Sequence, residues 1–470
     1  MKKIKSIHFV SIKGVGMTPL AIIAKEAGIK VTGSDVEDTF ITDAALLKSG
    51  IHPEVGFDSM HVLSPDLIIT SGANGGFDNI EVITAKQKNI PVITQGQAVG
   101  EYINGSLFGK KYIGISVAGS HGKTTTTAML ATVLSDAKLD PSYVIGTSSV
   151  DPLGLPGHFG KGKYFVAEAD EYATEPKYDK TPKLFWQKSK IVVFTNIEFD
   201  HPDLYPTLES IEEAFLRFAN MLPNNGVLIA CGDDIRMRNL LKRFKGKVKT
   251  YGFSEVNDYV IKNIHVEENQ TFFDVFVDEI KISSFMIRVA GEHNSLNATA
   301  VLLVGLELNL PIEKIKNGLV KFSGTKRRLE FIRRLSSGAM LFDDYAHHPT
   351  EIKKTLLTVH QEYPKSKIIC IFQPHTYSRT KKLFEEFISS FNNASTVIIT
   401  DIYASQREEK DPSISSKLLV EKMSTIHPQV IYEPKLIDVV QYLNKNQFGK
   451  DTIVLTMGAG DVYKVKDNLQ

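Results

Sequence analysis

Cysteine is scarce in this 470-residue sequence, which contains only Cys231 and Cys370, each within or beside an apolar stretch. Two isolated cysteines in apolar surroundings are typical of buried, reduced thiols. The pattern argues against a disulfide framework and against a cysteine-based metal site.

The sequence also lacks an excess of charge of either sign, since its formal net charge is +1. This balance excludes a global basic field that would attract nucleic acid or an anionic membrane. No segment approaches the roughly 20 apolar residues of a membrane span. Residues 1–10 lack the long apolar core and cleavage site of a signal peptide. We expect a cytoplasmic protein, a monomer or homodimer, with neither nucleic acid nor membrane as its partner.

Strand-like and helix-like segments alternate through most of the sequence, a pattern typical of doubly wound α/β domains. The length favours about three domains, and we place them at residues 1–108, 109–323 and 324–470. A polar, Gly-containing stretch at 104–111 predicts the first linker. The predicted strands are 7–10, 30–32, 66–70, 91–93, 112–117, 164–166, 191–195, 340–342, 367–372, 396–400 and 452–455.

Residues 259–289 differ from the rest because apolar and polar residues alternate there without an intervening helical segment. This alternation predicts antiparallel strands with one solvated face, attached to the parallel core. Two helices, at 293–306 and 311–320, are predicted to follow.

The strongest motif follows the predicted strand 112–117 and precedes a helix: Gly119, Ser120, His121, Gly122, Lys123 and Thr124. In a nucleotide phosphate loop, backbone N–H groups bind the phosphates, the lysine meets the terminal oxygens and the hydroxyl binds Mg²⁺. Val117 replaces the first glycine of the standard pattern, so the motif is incomplete. A glycine-rich turn with a surface lysine is the alternative interpretation.

Acidic motifs end two further strands, at residues 168–171 and 196–201. The carboxyl ends of parallel strands are where open α/β sheets place ligands, and carboxylates beside Thr124 would suit Mg²⁺. Each motif alone could be a solvated loop, but together with the phosphate loop they predict a metal site.

Near the N-terminus, Gly14 and Gly16 also follow a strand and precede a helix. The third glycine of a dinucleotide-binding fingerprint is replaced by Pro19. A tight packing turn and an NAD-binding loop are therefore the alternatives to a diphosphate-binding loop.

These motifs, in this order, resemble the Mur ligase family of peptidoglycan synthesis, and the resemblance covers essentially the whole chain. It is reinforced by GEHNSLNATA (291–300), KRRLE (326–330) and DDYAHHPTE (343–351). FQPHTYSRT (372–380), and HFVSIKGVGMTPLA followed by TGSD, resemble the branch that adds L-alanine to UDP-N-acetylmuramate. Some relatives carry a carbamylated lysine after the Asp-His motif, whereas AFLRF (214–218) has none here.

The resemblance implies a ligase dependent on ATP and Mg²⁺. It would activate the lactyl carboxylate of UDP-N-acetylmuramate as an acyl phosphate and join an amino acid, with L-alanine favoured. It implies a Rossmann-like UDP-sugar domain at 1–108 and a Rossmann-like amino-acid-binding domain at 324–470. Between them lies an ATP-binding phosphate-loop domain, with a parallel sheet plus a small antiparallel sheet.

The resemblance also assigns residues. Those implied to bind ATP are Gly119, Ser120, His121, Gly122, Lys123, Thr124, Thr125, His293, Asn294, Asn297, Arg328 and Asp344. Those implied to hold Mg²⁺ are Thr124, Glu168 and His201. Those implied to bind the UDP-sugar or the amino acid are Gly14, Val15, Gly16, Met17, Ser34, Asp35, Ser71, Gly72, His347, His375 and Arg379. The catalytic set is Lys123, His201, Arg328 and His348, of which His348 would accept the amine proton.

Two alternatives remain open. Residues 172–188 resemble the family branch that attaches a preformed tripeptide (L-alanyl-γ-D-glutamyl-meso-diaminopimelate) to UDP-N-acetylmuramate. A nucleotide-dependent binding or switch protein would explain Lys123 and Glu168, but it leaves the first glycine loop and the motifs at 343–351 and 372–380 without a role.

Overall fold

The computed structural model describes residues 4–404, 408–446 and 448–469. Within them the chain forms three α/β units, each built on its own sheet. The predicted fold class is confirmed. Residues 1–3 and 470, the outer ends of the predicted terminal domains, lie outside the described residues.

The first unit carries a parallel sheet in the order β3-β2-β1-β4-β5. Its strands are β1 (Ser6–Val10), β2 (Lys30–Asp35), β3 (Glu54–Val55), β4 (Leu67–Thr70) and β5 (Val92–Thr94). Its helices are α1 (Thr18–Glu26), α2 (Asp43–Lys48), α3 (Ile80–Gln87) and α4 (Gln95–Asn104).

The second unit is the largest. Its strands are β6 (Ile113–Ala118), β7 (Ser142–Val144), β8 (Val150–Asp151), β9 (Gly157–His158), β10 (Tyr164–Glu168), β11 (Ala173–Glu175), β12 (Asp179–Pro182), β13 (Ile191–Phe194), β14 (Val227–Cys231), β15 (Lys247–Gly252), β16 (Tyr259–Glu267), β17 (Gln270–Val277) and β18 (Ile280–Ile287). Its helices are α5 (Lys123–Asp136), α6 (Leu208–Ala219), α7 (Ile235–Arg243), α8 (Glu292–Glu307) and α9 (Ile312–Lys321). Ten strands form one sheet, in the order β18-β17-β16-β15-β14-β13-β6-β10-β7-β9.

The third unit begins after the short strand β19 (Gly324–Thr325), which pairs with β8. Its sheet strands are β20 (Glu330–Arg334), β21 (Met340–Asp344), β22 (Lys367–Phe372), β23 (Thr396–Ile399), β24 (Val430–Tyr432) and β25 (Thr452–Met457), in the order β20-β21-β25-β22-β23-β24. Its helices are α10 (Pro349–Glu362), α11 (Tyr377–Lys382), α12 (Phe384–Ile388), α13 (Ser416–Met423) and α14 (Leu436–Lys445).

Apolar runs locate the central strands because both faces of a parallel sheet are covered by helices. All four residues of β13 are buried, as are five of the six in β22. The predicted strands all exist, and their ends lie within a few residues of those predicted. Sequence patterns did not predict β3, β7, β8, β9, β11, β12, β14, β15, β19, β20 and β24.

The alternating segment forms β16, β17 and β18, which pair antiparallel as predicted. They continue the parallel sheet through the pair of β15 with β16, so the two parts are one mixed sheet. None of the described helices has both the length and the apolar character that a membrane crossing requires.

Three adjacent strands position the phosphate loop. Strand β6 lies between β13 and β10 and runs parallel to both. The residues that follow Ala118, Glu168 and Phe194 therefore meet at one edge of the sheet.

Candidate active site

The phosphate loop connects β6 to α5. Gly119 has φ +142° and Gly122 has φ +81°, conformations that side chains disfavour. A Cβ at Gly119 would also overlap the hydroxyl of Thr195. The glycines thus let the chain turn directly into the first N–H groups of α5, an arrangement that favours anions.

Lys123 Nζ lies 2.9 Å from Oε2 and 3.0 Å from Oε1 of Glu171, and it also donates to the carbonyl oxygens of Gly119 and Ser120. Burial alone would lower the pKa of Lys123, but the charges of Glu171 and Asp170 outweigh it and hold the pKa above its usual value. The lysine therefore stays cationic.

Thr124 and Glu168 meet across the loop, where the Thr124 hydroxyl donates to Glu168 Oε2 at 3.1 Å. Burial raises the pKa of Glu168, although the Gly146 N–H donates to its other oxygen. From beyond the second unit, Arg328 Nη2 donates to the Thr124 hydroxyl at 3.3 Å. Three of the predicted residues thus lie together.

A second group lies beside Lys123. Ligating atoms of Asp170, Glu171 and His201 lie within 4.8 Å of one another, and His201 Nε2 is 4.0 Å from Glu171. Burial lowers the pKa of His201, which suits a neutral, metal-binding imidazole. The predicted ligand set omitted Asp170 and Glu171, although both belong to the quoted motif 168–171.

A cavity of about 580 Å³ opens between the second and third units. Its lining includes most of the predicted ATP-binding residues: His121, Gly122, Thr125, His293, Asn294, Asn297, Arg328 and Asp344. Asn297 donates to Asn294 and accepts from Thr126. Burial lowers the pKa of His293 to about 4 and raises that of Asp344 to about 6.

A cluster of His347, His375 and Arg379 follows β21 and β22. The rings of His347 and His375 lie 5.9 Å apart, and Arg379 Nη1 is 3.1 Å from His375 Nδ1. His347 Nδ1 must donate to the carbonyl oxygen of Tyr345, at 3.1 Å. Burial lowers the pKa of His347 to about 3. Its neutral ring therefore keeps an acceptor lone pair on Nε2.

His348 has a different environment. Its Nδ1 accepts the N–H of Thr350 and caps α10, and its Nε2 lies 3.3 Å from the carbonyl oxygen of Phe199. Both ring nitrogens are thus engaged, which does not favour His348 as a proton acceptor in this arrangement; that role stays a prediction.

The glycine loop of the first unit lies between β1 and α1. Gly14, Val15 and Gly16 are partly exposed, as are Ser71 and Gly72, whereas Met17 is buried. Pro19 lies in the first turn of α1, where a missing N–H is tolerated.

Ser34 and Asp35 lie beneath that loop. Ser34 is fully buried and donates to Glu81, and Asp35 accepts from the N–H of Lys13 at 2.7 Å and from Asn74. The Asp35 side chain therefore supports the loop, whereas that of Ser34 bonds to α3, and the ligand contacts predicted for both residues stay predictions.

Residues 172–188 form the β11–β12 hairpin and a short helix, Lys183–Trp186. The hairpin tip reaches the first unit, where Lys177 Nζ and the Tyr178 hydroxyl contact Asp78 at 2.6 and 2.7 Å. Pro176 lies against Gly72, where any Cβ would overlap it.

Three family models match the chain: "Mur ligase family, catalytic domain" at 6–106, "Mur ligase middle domain" at 117–305 and "Mur ligase, glutamate ligase domain" at 327–460. Among curated relatives, the UDP-N-acetylmuramate–L-alanine ligase of Clostridium kluyveri is 39% identical over 465 residues, covering 98% of this chain and 97% of the relative. The protein of that name from Caldanaerobacter subterraneus is 38% identical, with coverages of 99% and 97%.

Solved structures of ligases also match this chain over nearly its whole length. A UDP-N-acetylmuramate–alanine ligase from Thermotoga maritima superposes with a TM-score of 0.80 at 25% identity, covering 98% of this chain and 97% of that chain. A murein peptide ligase from Psychrobacter arcticus has a TM-score of 0.73 at 23% identity, with the same coverages. The latter likeness concerns the fold alone.

Proposed function

The chain belongs to the Mur ligase family, and from this we propose that it joins L-alanine to UDP-N-acetylmuramate. The reaction consumes ATP, activates the lactyl carboxylate as an acyl phosphate, and forms an amide in peptidoglycan precursor synthesis. The observation that carries this proposal is the meeting of Thr124, Glu168 and Arg328, because it brings a phosphate loop, an acidic ligand and an arginine from another unit together.

The residues present fit ATP and Mg²⁺. Hydroxyl and carboxylate oxygens are hard ligands of the kind Mg²⁺ prefers, and Thr124 with Glu168 supplies one of each. His201 would supply a further ligand for Mg²⁺, beside the carboxylates of Asp170 and Glu171. When bound, Mg²⁺ would neutralise charge that develops on the transferring phosphoryl group.

Cationic side chains of this chain act on the same charge. A carboxylate that attacks a triphosphate meets electrostatic repulsion, which fixed cations reduce. Lys123 and Arg328 are the cations that border the loop, and the cavity lined by His293, Asn294 and Asp344 would hold the nucleoside.

The amine must lose a proton to form the amide. His348 remains the predicted acceptor of this proton, because a pKa of about 3 makes His347 too weak a base. We propose that His347 Nε2 accepts a hydrogen bond from the amine, since the carbonyl oxygen of Tyr345 holds the Nδ1–H of the ring. Arg379 and His375 border the same space and would orient the carboxylate of the amino acid.

The proposal includes the three-domain division at 1–108, 109–323 and 324–470, with the UDP-sugar bound by the first. Gly14, Val15 and Gly16 would approach its diphosphate closely, because their loop is partly exposed and lacks large side chains at two of these positions.

The tripeptide-adding alternative rested on residues 172–188. The tip of this hairpin bonds to Asp78 of the first unit. These contacts give the segment a role in joining two units, which accounts for it without a larger amine.

Phosphate release tests the proposal against a nucleotide switch. Wild-type protein should release one phosphate per product only when UDP-N-acetylmuramate, L-alanine, ATP and Mg²⁺ are all present, and EDTA should stop release. ATP turnover indifferent to the UDP-sugar and the amino acid would contradict it.

A further inference from the structure

Glu351 lies at the third position of α10, where its two carboxylate oxygens face different neighbours. Oε2 accepts the N–H groups of His347 at 3.0 Å and His348 at 3.2 Å, completing the helix cap. Oε1 lies 3.1 Å from Nδ1 of His121 in the phosphate loop. One side chain thus contacts both the third unit and the loop of the second.

Two further groups face this carboxylate. His347 Nδ1 lies 3.2 Å from Oε2, and Arg328 Nη1 lies 3.9 Å from Oε1. The phosphate loop, the arginine beside Thr124 and the histidine proposed to contact the amine therefore share one anionic neighbour.

The contact with His121 is an ion pair. Burial would raise the pKa of Glu351, but the histidines and Arg328 hold it well below its usual range. Burial would lower the pKa of His121, but Glu351 and Glu198 raise it to about 9. The His348 ring also packs 4.7 Å from that of His121.

Resting on the proposed ligase function, we propose that Glu351 is a positioning residue for ligation. It holds the phosphate loop, Arg328 and His347 in one arrangement across the boundary between the second and third units. Neither the motifs nor the comparisons with relatives assign a role to this residue.

Helix capping alone is the competing explanation for Glu351, and the chain offers a way to separate the two. Glutamine serves as well as glutamate at the third position of a capping box, and Gln97 does so with Thr94 in α4. Glu351→Gln should therefore keep the cap while removing the charge that faces His121 and Arg328.

The test compares the full-length wild type with Glu351→Gln, His121→Asn and the double variant. Melting temperature reports the cap, and Gln97→Glu is the matched stability control for an exchange at this position. The activity assay uses UDP-N-acetylmuramate, L-alanine and Mg²⁺-ATP, and a non-hydrolysable ATP analogue gives a direct Kd.

Glu351→Gln should melt like the wild type, yet kcat should fall about 10- to 100-fold because small misplacements of reacting groups cost rates of that order. The double variant should be no worse than about twofold below the poorer single variant, since coupled partners are not additive. Wild-type kinetics in Glu351→Gln, or losses that multiply in the double variant, would overturn the proposal.

Nucleotide binding separates failure of this proposal from failure of the proposed function. If the wild type forms no product with any amine, the ligase proposal fails. The Kd for the ATP analogue then tests the role of Glu351. An affinity about tenfold weaker in Glu351→Gln supports positioning of the loop, and an unchanged Kd overturns the proposal for Glu351.

Discussion

Arg379 donates two hydrogen bonds to one carboxylate oxygen of Asp200, from Nε at 2.9 Å and from Nη2 at 2.7 Å. Both side chains are buried, and they join α11 of the third unit to the loop after β13. Burial would raise the pKa of Asp200, but the guanidinium holds it well below its usual range. The arginine assigned to the amino acid thus also fastens two units together.

Replacing Arg379 by methionine should destabilise the protein by about 3–5 kcal/mol, because a buried carboxylate loses its partner. Asp200→Asn combined with Arg379→Met should recover part of that loss. Lys381→Met is the matched control, because its pair with Asp411 lies at the surface and should contribute little to stability. Thermal and urea denaturation of the wild type and these three variants measure the losses, and a fully stable Arg379→Met would contradict the interpretation.

Lys123→Ala should lower ligation about 100-fold or more, because a preorganised cation at the transferring phosphoryl group is lost. Binding of UDP-N-acetylmuramate, measured by calorimetry, should be unchanged because its proposed site lies in the first unit. Lys242→Ala, an exposed lysine on α7, should behave as the wild type. Loss of both ligation and UDP-N-acetylmuramate binding in Lys123→Ala would argue against the proposed division of the domains.

Gly72→Ala tests the contact between the hairpin and the first unit, because the added methyl group would overlap Pro176. Overpacking of this kind typically costs about 1–3 kcal/mol. We expect a lower melting temperature and a higher KM for UDP-N-acetylmuramate. Gly449→Ala, whose Cβ would meet no atom within 4 Å, should change neither quantity. A Gly72→Ala variant with the melting temperature and KM of the wild type would show that the contact contributes neither to stability nor to substrate binding.

His121 gives the protein a pH-dependent contribution to stability. Its pKa in the folded chain, about 9, exceeds the ordinary value of 6.5, so the folded state binds the proton more tightly. The contribution is complete below pH 6.5 and disappears as the pH rises through about 9. The melting temperatures of wild type and His121→Asn should therefore converge with rising pH, whereas a constant difference would contradict an ion pair.

Much of the fold was predictable because buried parallel strands leave continuous apolar runs, as in β13 and β22. The phosphate loop was predictable because its geometry demands glycines, a lysine and a hydroxyl in fixed order. The contacts of Arg379 with Asp200 and of Glu351 with His121 were not, since local patterns carry no information on residues far apart in sequence. The cap formed by His348 and Glu351 was not predictable either, because histidine is not one of the usual N-cap residues.

Ser34 and Asp35 show a different limit. Their position after β2 is where dinucleotide-binding folds place ligand contacts, and the sequence alone favoured that role. The structure engages Ser34 with Glu81 and Asp35 with Lys13 and Asn74, and only three-dimensional contacts distinguish a supporting residue from a binding one.

The choice of amine tests the central claim most directly. Purified protein would be incubated with UDP-N-acetylmuramate, Mg²⁺-ATP and, separately, L-alanine, glycine, L-serine or the tripeptide, and the products identified by mass spectrometry. L-Alanine should give the fastest product formation. Consumption of the tripeptide alone would contradict the account and make residues 172–188 the better guide to the substrate.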